Sequence, residues 1–174
     1  MAAIGEDRAV RFRALVLPLL AYLNRLGFAL TGSRQAAEDL VQESVLRGLR
    51  YFDTYRGDDF RAWMAAIMRN LHRGRPLRTP TPMDDDRLQQ IPDPTPNPEQ
   101  MVLARDRAAR LRALIKDLPD SLREVLVLRE FGELSYAQIA STLGLPAGTV
   151  MSRLSRARED LRTAWLASDD GCTP

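Results

Sequence analysis

Cysteine, histidine and lysine each occur once in this 174-residue chain, as Cys172, His72 and Lys116. A single cysteine cannot close an internal disulfide, so a reducing cytoplasm is the expected setting. A single histidine without companion ligands argues against a metal site. Glycine is scarce, at 10 residues, and the apolar residues recur at helical rather than alternating spacing. An all-α protein is therefore expected. The apolar stretch Ala14–Leu23 follows Arg11 and Arg13, as in a signal peptide. Pro18 interrupts it and no small-residue cleavage site follows, so a buried helix is the better reading. It is also too short to span a bilayer, so no membrane insertion is expected. Paired carboxylates, a Cys/His pair and a Gly-rich phosphate loop are all missing from any plausible context. An enzyme is not expected, nor is a cofactor. No internal repeat is found.

What the chain does hold is arginine, unevenly placed. Residues 1–75 carry 12 Arg against 8 acids, residues 76–100 carry 2 against 5, and residues 101–174 carry 11 basic against 10 acidic residues. Two near-neutral or basic ends flank an acidic middle. Arginine suits phosphate and base-edge contacts, although a GC-rich genome would produce the same bias.

The most informative stretch is Ser135–Arg158. Ser135 with Gln138 three residues on is a capping-box start. Ile139, Ala140 and Leu143 give a first short helix its apolar stripe. Gly144 supplies a left-handed ending, and Pro146 sits where a second helix tolerates a missing N–H. On that second helix Val150, Leu154, Ala157 and Leu161 fall within about 60° of one another. Ser152, Ser155, Arg156 and Glu159 project from the opposite side, with Met151 and Arg153 on the flanks. This is the layout of a helix-turn-helix, whose second helix enters the major groove of DNA.

Taken in order, residues 7–31 read as one helix with Phe12, Leu15, Val16, Leu19, Leu23 and Leu26 inward. Ser33 caps a second helix to about Phe52, with a core stripe of Ala37, Leu40, Val41, Val45, Gly48, Leu49 and Phe52. Asp53–Asp59 is a loop, and a third helix runs from Phe60 to about Arg73. Residues 76–98 hold 7 of the 11 prolines and the run Asp84-Asp85-Asp86. Such a segment reads as a linker and a domain boundary. Pro98 then opens a helix to about Asp117, and Pro119 another to about Phe131. The domains expected are 1–75, a linker over 76–99, and 100–174.

Two further surfaces stand out. Asp39, Gln42, Glu43 and Leu46 share the face opposite the second helix's core stripe. An acidic patch around an exposed leucine suits a basic partner helix, and equally an ordinary solvated face with one stray leucine. The third helix, Phe60-Arg-Ala-Trp-Met-Ala-Ala-Ile-Met-Arg-Asn-Leu-His-Arg-Gly-Arg75, places aromatics first and Arg69, Asn70, Arg73 and Arg75 later. That order suits unpaired bases stacking on rings while phosphates meet positive charge. Trp63, Met64, Ile67 and Met68 serve as well for plain core, and Ile67 and Leu71 are expected there.

An acidic D-x-x-Q-E helix, F-R-A-W with a following R-N, a linker, and L-S-Y-x-x-I-A…G-T-V-x-S-R-L-x-R-A-R together resemble the bacterial sigma factors. The likeness is to the extracytoplasmic-function (ECF) group, which keeps only regions two and four, and it covers roughly residues 8–75 and 100–166. The resemblance implies two small helical domains and a promoter-specificity subunit of RNA polymerase. Its partners would be core polymerase, through the β′ coiled coil and the β subunit, promoter DNA, and an anti-sigma protein. Asp39, Gln42, Glu43 and Leu46 would grip the polymerase. Tyr55, Arg56, Phe60, Trp63, Arg69, Asn70 and Arg73 would melt and read the −10 element. Met151, Ser152, Arg153, Ser155 and Arg156 would meet the −35 element, Met151 standing where the family often has arginine. The Arg56–Phe60 loop is about a residue shorter than the family's. The acidic triple at 84–86 would lie in a linker threaded toward the polymerase cleft. A stand-alone helix-turn-helix repressor is the rival reading, and it predicts palindromic sites and tight DNA binding without polymerase.

Overall fold

The computed structural model describes residues 2–56, 59–74 and 98–169, and every regular element among them is helical. The proline-rich segment, the acidic triple, Arg75 and Cys172 lie outside the described residues.

The first domain is built from α1 (Ala2–Val16), α2 (Leu20–Thr31), α3 (Arg34–Tyr51) and α4 (Phe60–Gly74). The expected single helix over 7–31 is in fact two, separated by a 3-10 turn at Leu17–Leu19. Pro18 is the cause, because its ring removes an amide and crowds the preceding turn. The break rotates Leu15 outward, where it is 39% exposed, and brings Tyr22 into the core beside Leu23 and Leu26. Gly32, at φ 69, ends α2, and the Ser33 side chain accepts from the Ala36 amide to start α3. Asp7–Thr31 is long and apolar enough by composition to cross a membrane. Here Phe12, Val16, Tyr22, Leu23 and Leu26 are buried in the domain core.

Ala37, Leu40, Val41 and Gly48 of α3 face inward as the spacing requires, and Ser44 joins them by donating its hydroxyl to the Leu40 carbonyl at 2.6 Å. In α4, Met64, Ala65, Met68 and Leu71 are buried, while Ile67 is only half-buried at the edge of a groove. Gly48 is crowded by side chains of two neighbouring helices. A Cβ there would lie 2.9 Å from Met64 Sδ and 3.1 Å from the Phe12 ring. Gly48→Ala should therefore overpack the core at a cost of about 1–3 kcal/mol. Thermal unfolding followed by circular dichroism should show Tm falling by several degrees, on the order of 2–4 °C per kcal/mol at this size.

The second domain comprises α5 (Pro98–Asp117), α6 (Asp120–Glu130), α7 (Tyr136–Leu143) and α8 (Ala147–Asp169). Arg110 of α5 lies 4.3 Å over the Trp165 ring and donates to that residue's carbonyl, tying α5 to the end of α8. Val125–Leu128 of α6, Ile139 of α7 and Val150, Leu154 and Ala157 of α8 are buried together. Both halves of the capping box at Ser135 and Gln138 form, and Gly144 takes the left-handed conformation at φ 65. The two helices of the expected helix-turn-helix are therefore α7 and the N-terminal half of α8.

Candidate functional site

Three surfaces gather the residues singled out from the sequence. On α8, the burial of Val150, Leu154 and Ala157 turns Met151, Ser152, Ser155 and Arg156 to the exterior. Met151 is 55% exposed, and Arg153 is half-buried on the flank. Ser152 donates to the Thr149 carbonyl at 3.0 Å, which leaves its lone pairs outward. Short polar side chains around one arginine form a face narrow enough for a major groove. On α3, Asp39, Gln42, Glu43 and Leu46 are all exposed on one side, and Leu46 keeps 64% of its surface open.

The third surface lies where α3 meets α4. Phe12, Phe52, Tyr55, Phe60 and Trp63 form a linked ring cluster, with Phe12–Phe60 centroids at 5.7 Å and Phe60–Trp63 at 5.6 Å. Phe60 is buried within it, so it shapes this surface from beneath. Trp63 has two sides. One packs on Phe60 and Tyr55, and the other lines a groove of about 470 Å³ with Arg47, Tyr51, Thr54, Ile67 and Asn70. Arg47, Tyr51 and Thr54 were not singled out from the sequence. Their i, i+4, i+7 spacing was the available signal, hidden because the acidic face of the same helix was the more conspicuous feature. Arg56 and Arg73 are exposed and Tyr55 is half-buried.

Arg69 departs most from its expected place. It is buried, ion-paired with Glu124 of α6, and donates to Asn70 Oδ1 at 3.1 Å and to the Thr142 carbonyl at 3.3 Å. The two domains meet at this point. Along the same seam the buried Tyr22 hydroxyl donates to the Gly132 carbonyl at 2.9 Å, beneath the Arg61 guanidinium 4.8 Å from its ring. Burial pushes the Tyr22 phenol well above its ordinary value, with nearby Glu133 adding to the rise and Arg61 opposing it. The hydroxyl thus stays protonated as a donor throughout the neutral range. Among the described residues no cluster of His, Cys, Asp and Glu could hold a metal ion.

An all-helical pair of domains, one with a helix-turn-helix and one with an aromatic groove lined by an arginine, has the make-up of a nucleic-acid-binding protein. Family comparison specifies it further. Residues 12–73 match sigma-70 region 2 and residues 108–161 match sigma-70 region 4. The chain belongs to the sigma-70 family of RNA polymerase sigma factors, in the ECF group. It is 34% identical over 175 residues to the RNA polymerase sigma-H factor of Pseudomonas aeruginosa, covering 92% of this chain and 88% of that one. With the ECF RNA polymerase sigma factor SigE of Mycolicibacterium smegmatis it shares 38% identity over 144 residues, 79% of this chain. The match spans 55% of that longer relative. Among solved structures, CnrH in complex with the cytosolic domain of CnrY superposes with a TM-score of 0.66 at 25% identity, covering 97% of this chain and 95% of that one. The sigma factor RpoE of Bartonella quintana, solved with the anti-sigma factor NepR, has the same fold, with a TM-score of 0.62 at 21% identity over 89% of this chain and 96% of that one.

Proposed function

We propose that this chain is a promoter-specificity subunit that binds core RNA polymerase and directs transcription initiation in the cytoplasm. Region two spans 1–75, region four 100–174, with a linker over 76–99. The reading is carried by one observation: a single chain bears a capped helix-turn-helix with an open polar face and, on a separate domain, an aromatic groove flanked by arginine. A duplex reader and a single-strand holder on one chain are the tools needed to place and open a promoter.

The roles follow from the surfaces. Asp39, Gln42, Glu43 and Leu46 grip the polymerase. Trp63 and Asn70, with Arg47, Tyr51 and Thr54, receive an unpaired base of the −10 strand, while Arg56 and Arg73 meet its phosphates. Ser152, Ser155 and Arg156 read the −35 duplex, with Met151 and Arg153 at its margins. An anti-sigma protein is a further partner class, as in the solved complex of the Bartonella quintana sigma factor with NepR.

Run-off transcription with purified core polymerase on fragmented genomic DNA tests the reading. Discrete starts sharing two upstream elements are expected. Palindromic sites bound tightly without polymerase, and no transcription, would establish the repressor instead.

Arg156→Ala tests the duplex reader directly. Arg156 is exposed on α8, free of the core, and a bidentate contact to guanine is worth about 1–3 kcal/mol of discrimination. On a library randomised across the −35 element, holoenzyme carrying the variant should lose preference at one position. A uniform weakening with a flatter salt slope would mark a phosphate contact. Met151→Arg should strengthen promoter binding generally, because it adds a phosphate-reaching charge beside the same groove.

A further inference from the structure

No residue of α1 is among those that line the groove beside Trp63, yet α1 grips the end of α3 that forms one of its walls. The Arg8 guanidinium donates from Nη2 to the Leu49 carbonyl at 2.5 Å and the Arg50 carbonyl at 3.3 Å, and from Nη1 to Asp53 Oδ2 at 2.9 Å. A helix leaves its last carbonyls short of intrahelical partners, and they form the negative end of its dipole. A guanidinium can span several such acceptors at once, in a rigid fork. One turn further along α1, the Phe12 ring meets the Phe52 ring edge-on, with centroids at 5.3 Å. Phe52 opens the 3-10 turn Phe52–Thr54 that follows α3. The turn is thus held at two points, a buried ring contact and a half-buried charged one.

What is held there is a wall of the groove. Tyr51 ends α3 and Thr54 ends the turn, and both line the groove together with Trp63. The Thr54 hydroxyl donates to the Tyr51 carbonyl at 2.7 Å, and Tyr55 stacks on Phe52 with centroids 6.0 Å apart. Residues 51–55 are therefore tied into one piece. A ring contact fixes where that piece sits but not how it is turned, because apolar packing is non-directional. Hydrogen bonds have direction, and those from Arg8 supply the second attachment.

We propose that Arg8 is a positioning residue for the −10 strand: it clamps the last turn of α3 so that Tyr51 and Thr54 stand at a fixed separation from Trp63 before a base enters. The inference rests on the function proposed above. Arg8 touches no base and acts through the groove wall. An ion pair this exposed adds little to stability, so its loss shows in the groove rather than in Tm. Misplacing a site by an ångström can cost about 100-fold in rate, and a wall that is loosened rather than displaced should cost about tenfold.

The test uses holoenzyme assembled with the full chain. Arg8→Met removes the fork and keeps an unbranched stem. It should leave Tm, core polymerase binding and −35 preference near wild type. Open-complex formation should fall about tenfold, and preference at one −10 position of a randomised library should flatten. Arg8→Lys should recover part of the loss, because an ammonium reaches fewer of the three acceptors. Arg34→Met, which removes an exposed arginine paired with Glu38 elsewhere on α3, should change little. In a Tyr51→Ala background, Arg8→Met should add almost nothing, since both act through the same wall. Asp53→Asn weakens the clamp from its other side and carries the test if Arg8→Met does not fold. Losses that add in the double variant, or a salt slope lowered by about one, would make Arg8 a phosphate contact and overturn the proposal. So would unchanged open-complex formation, or a loss that only follows a fall in Tm. Absence of transcription by the unsubstituted chain removes the function itself, whereas transcription that Arg8→Met leaves intact removes this inference alone.

Discussion

Replacing Asp39 and Glu43 together by arginine should abolish binding to core RNA polymerase while leaving Tm unchanged. Both side chains are exposed on α3, on the side opposite buried Ala37, Leu40, Val41, Ser44 and Gly48. Neither takes part in an ion pair among the described residues, so reversal breaks no internal contact. A like-charge contact at an interface costs several kcal/mol. About 4 kcal/mol weakens association roughly 10³-fold. Pull-down or interferometry against core polymerase, with circular dichroism as the folding control, gives the comparison. Leu46→Ala should weaken binding less, and Arg34→Ala, which leaves the patch charge in place, should have no effect on it. Binding that survives the double reversal would remove this face from the polymerase interface.

The second large effect is expected at Trp63, where the sequence left core and contact equally open. The structure gives the side chain both roles. Its packing on Phe60 and Tyr55 contributes roughly 0.5–1.5 kcal/mol per aromatic pair, and its open side would stack on a base for about 1–3 kcal/mol. Trp63→Ala should lower Tm modestly and reduce open-complex formation by on the order of 10–100-fold at a temperature where the domain is still folded. A template premelted across the −10 element should recover part of that loss. Trp63→Phe, which keeps a ring in the cluster, should hold Tm near wild type and show an intermediate defect. If Trp63→Ala loses stability and no initiation activity beyond that, the indole serves the core alone.

The features legible in the sequence are those set by neighbours along the chain. Ser33, the Ser135/Gln138 box and Gly144 act within one turn of helix, so each element begins or ends where its residues indicate. The buried stripe of α8 follows from helical spacing alone, and with it the outward placement of Ser152, Ser155 and Arg156. The break at Pro18 was also written locally, and its consequence for Leu15 and Tyr22 follows from the 3-10 turn that proline imposes.

Tertiary structure decided the rest, because the contacts involved join distant residues. Arg69 reads as a nucleic-acid arginine on an exposed helix end until Glu124, 55 residues away, is folded against it. Tyr22 finds its acceptor 110 residues on, and Asp59 meets Gln138 across 79. Helical periodicity specifies which face of a helix is apolar. It carries no information on which polar side chains a second domain will cover, so the sequence by itself determined the two domains and their outward surfaces, and only the folded chain determined the charged seam that closes one on the other.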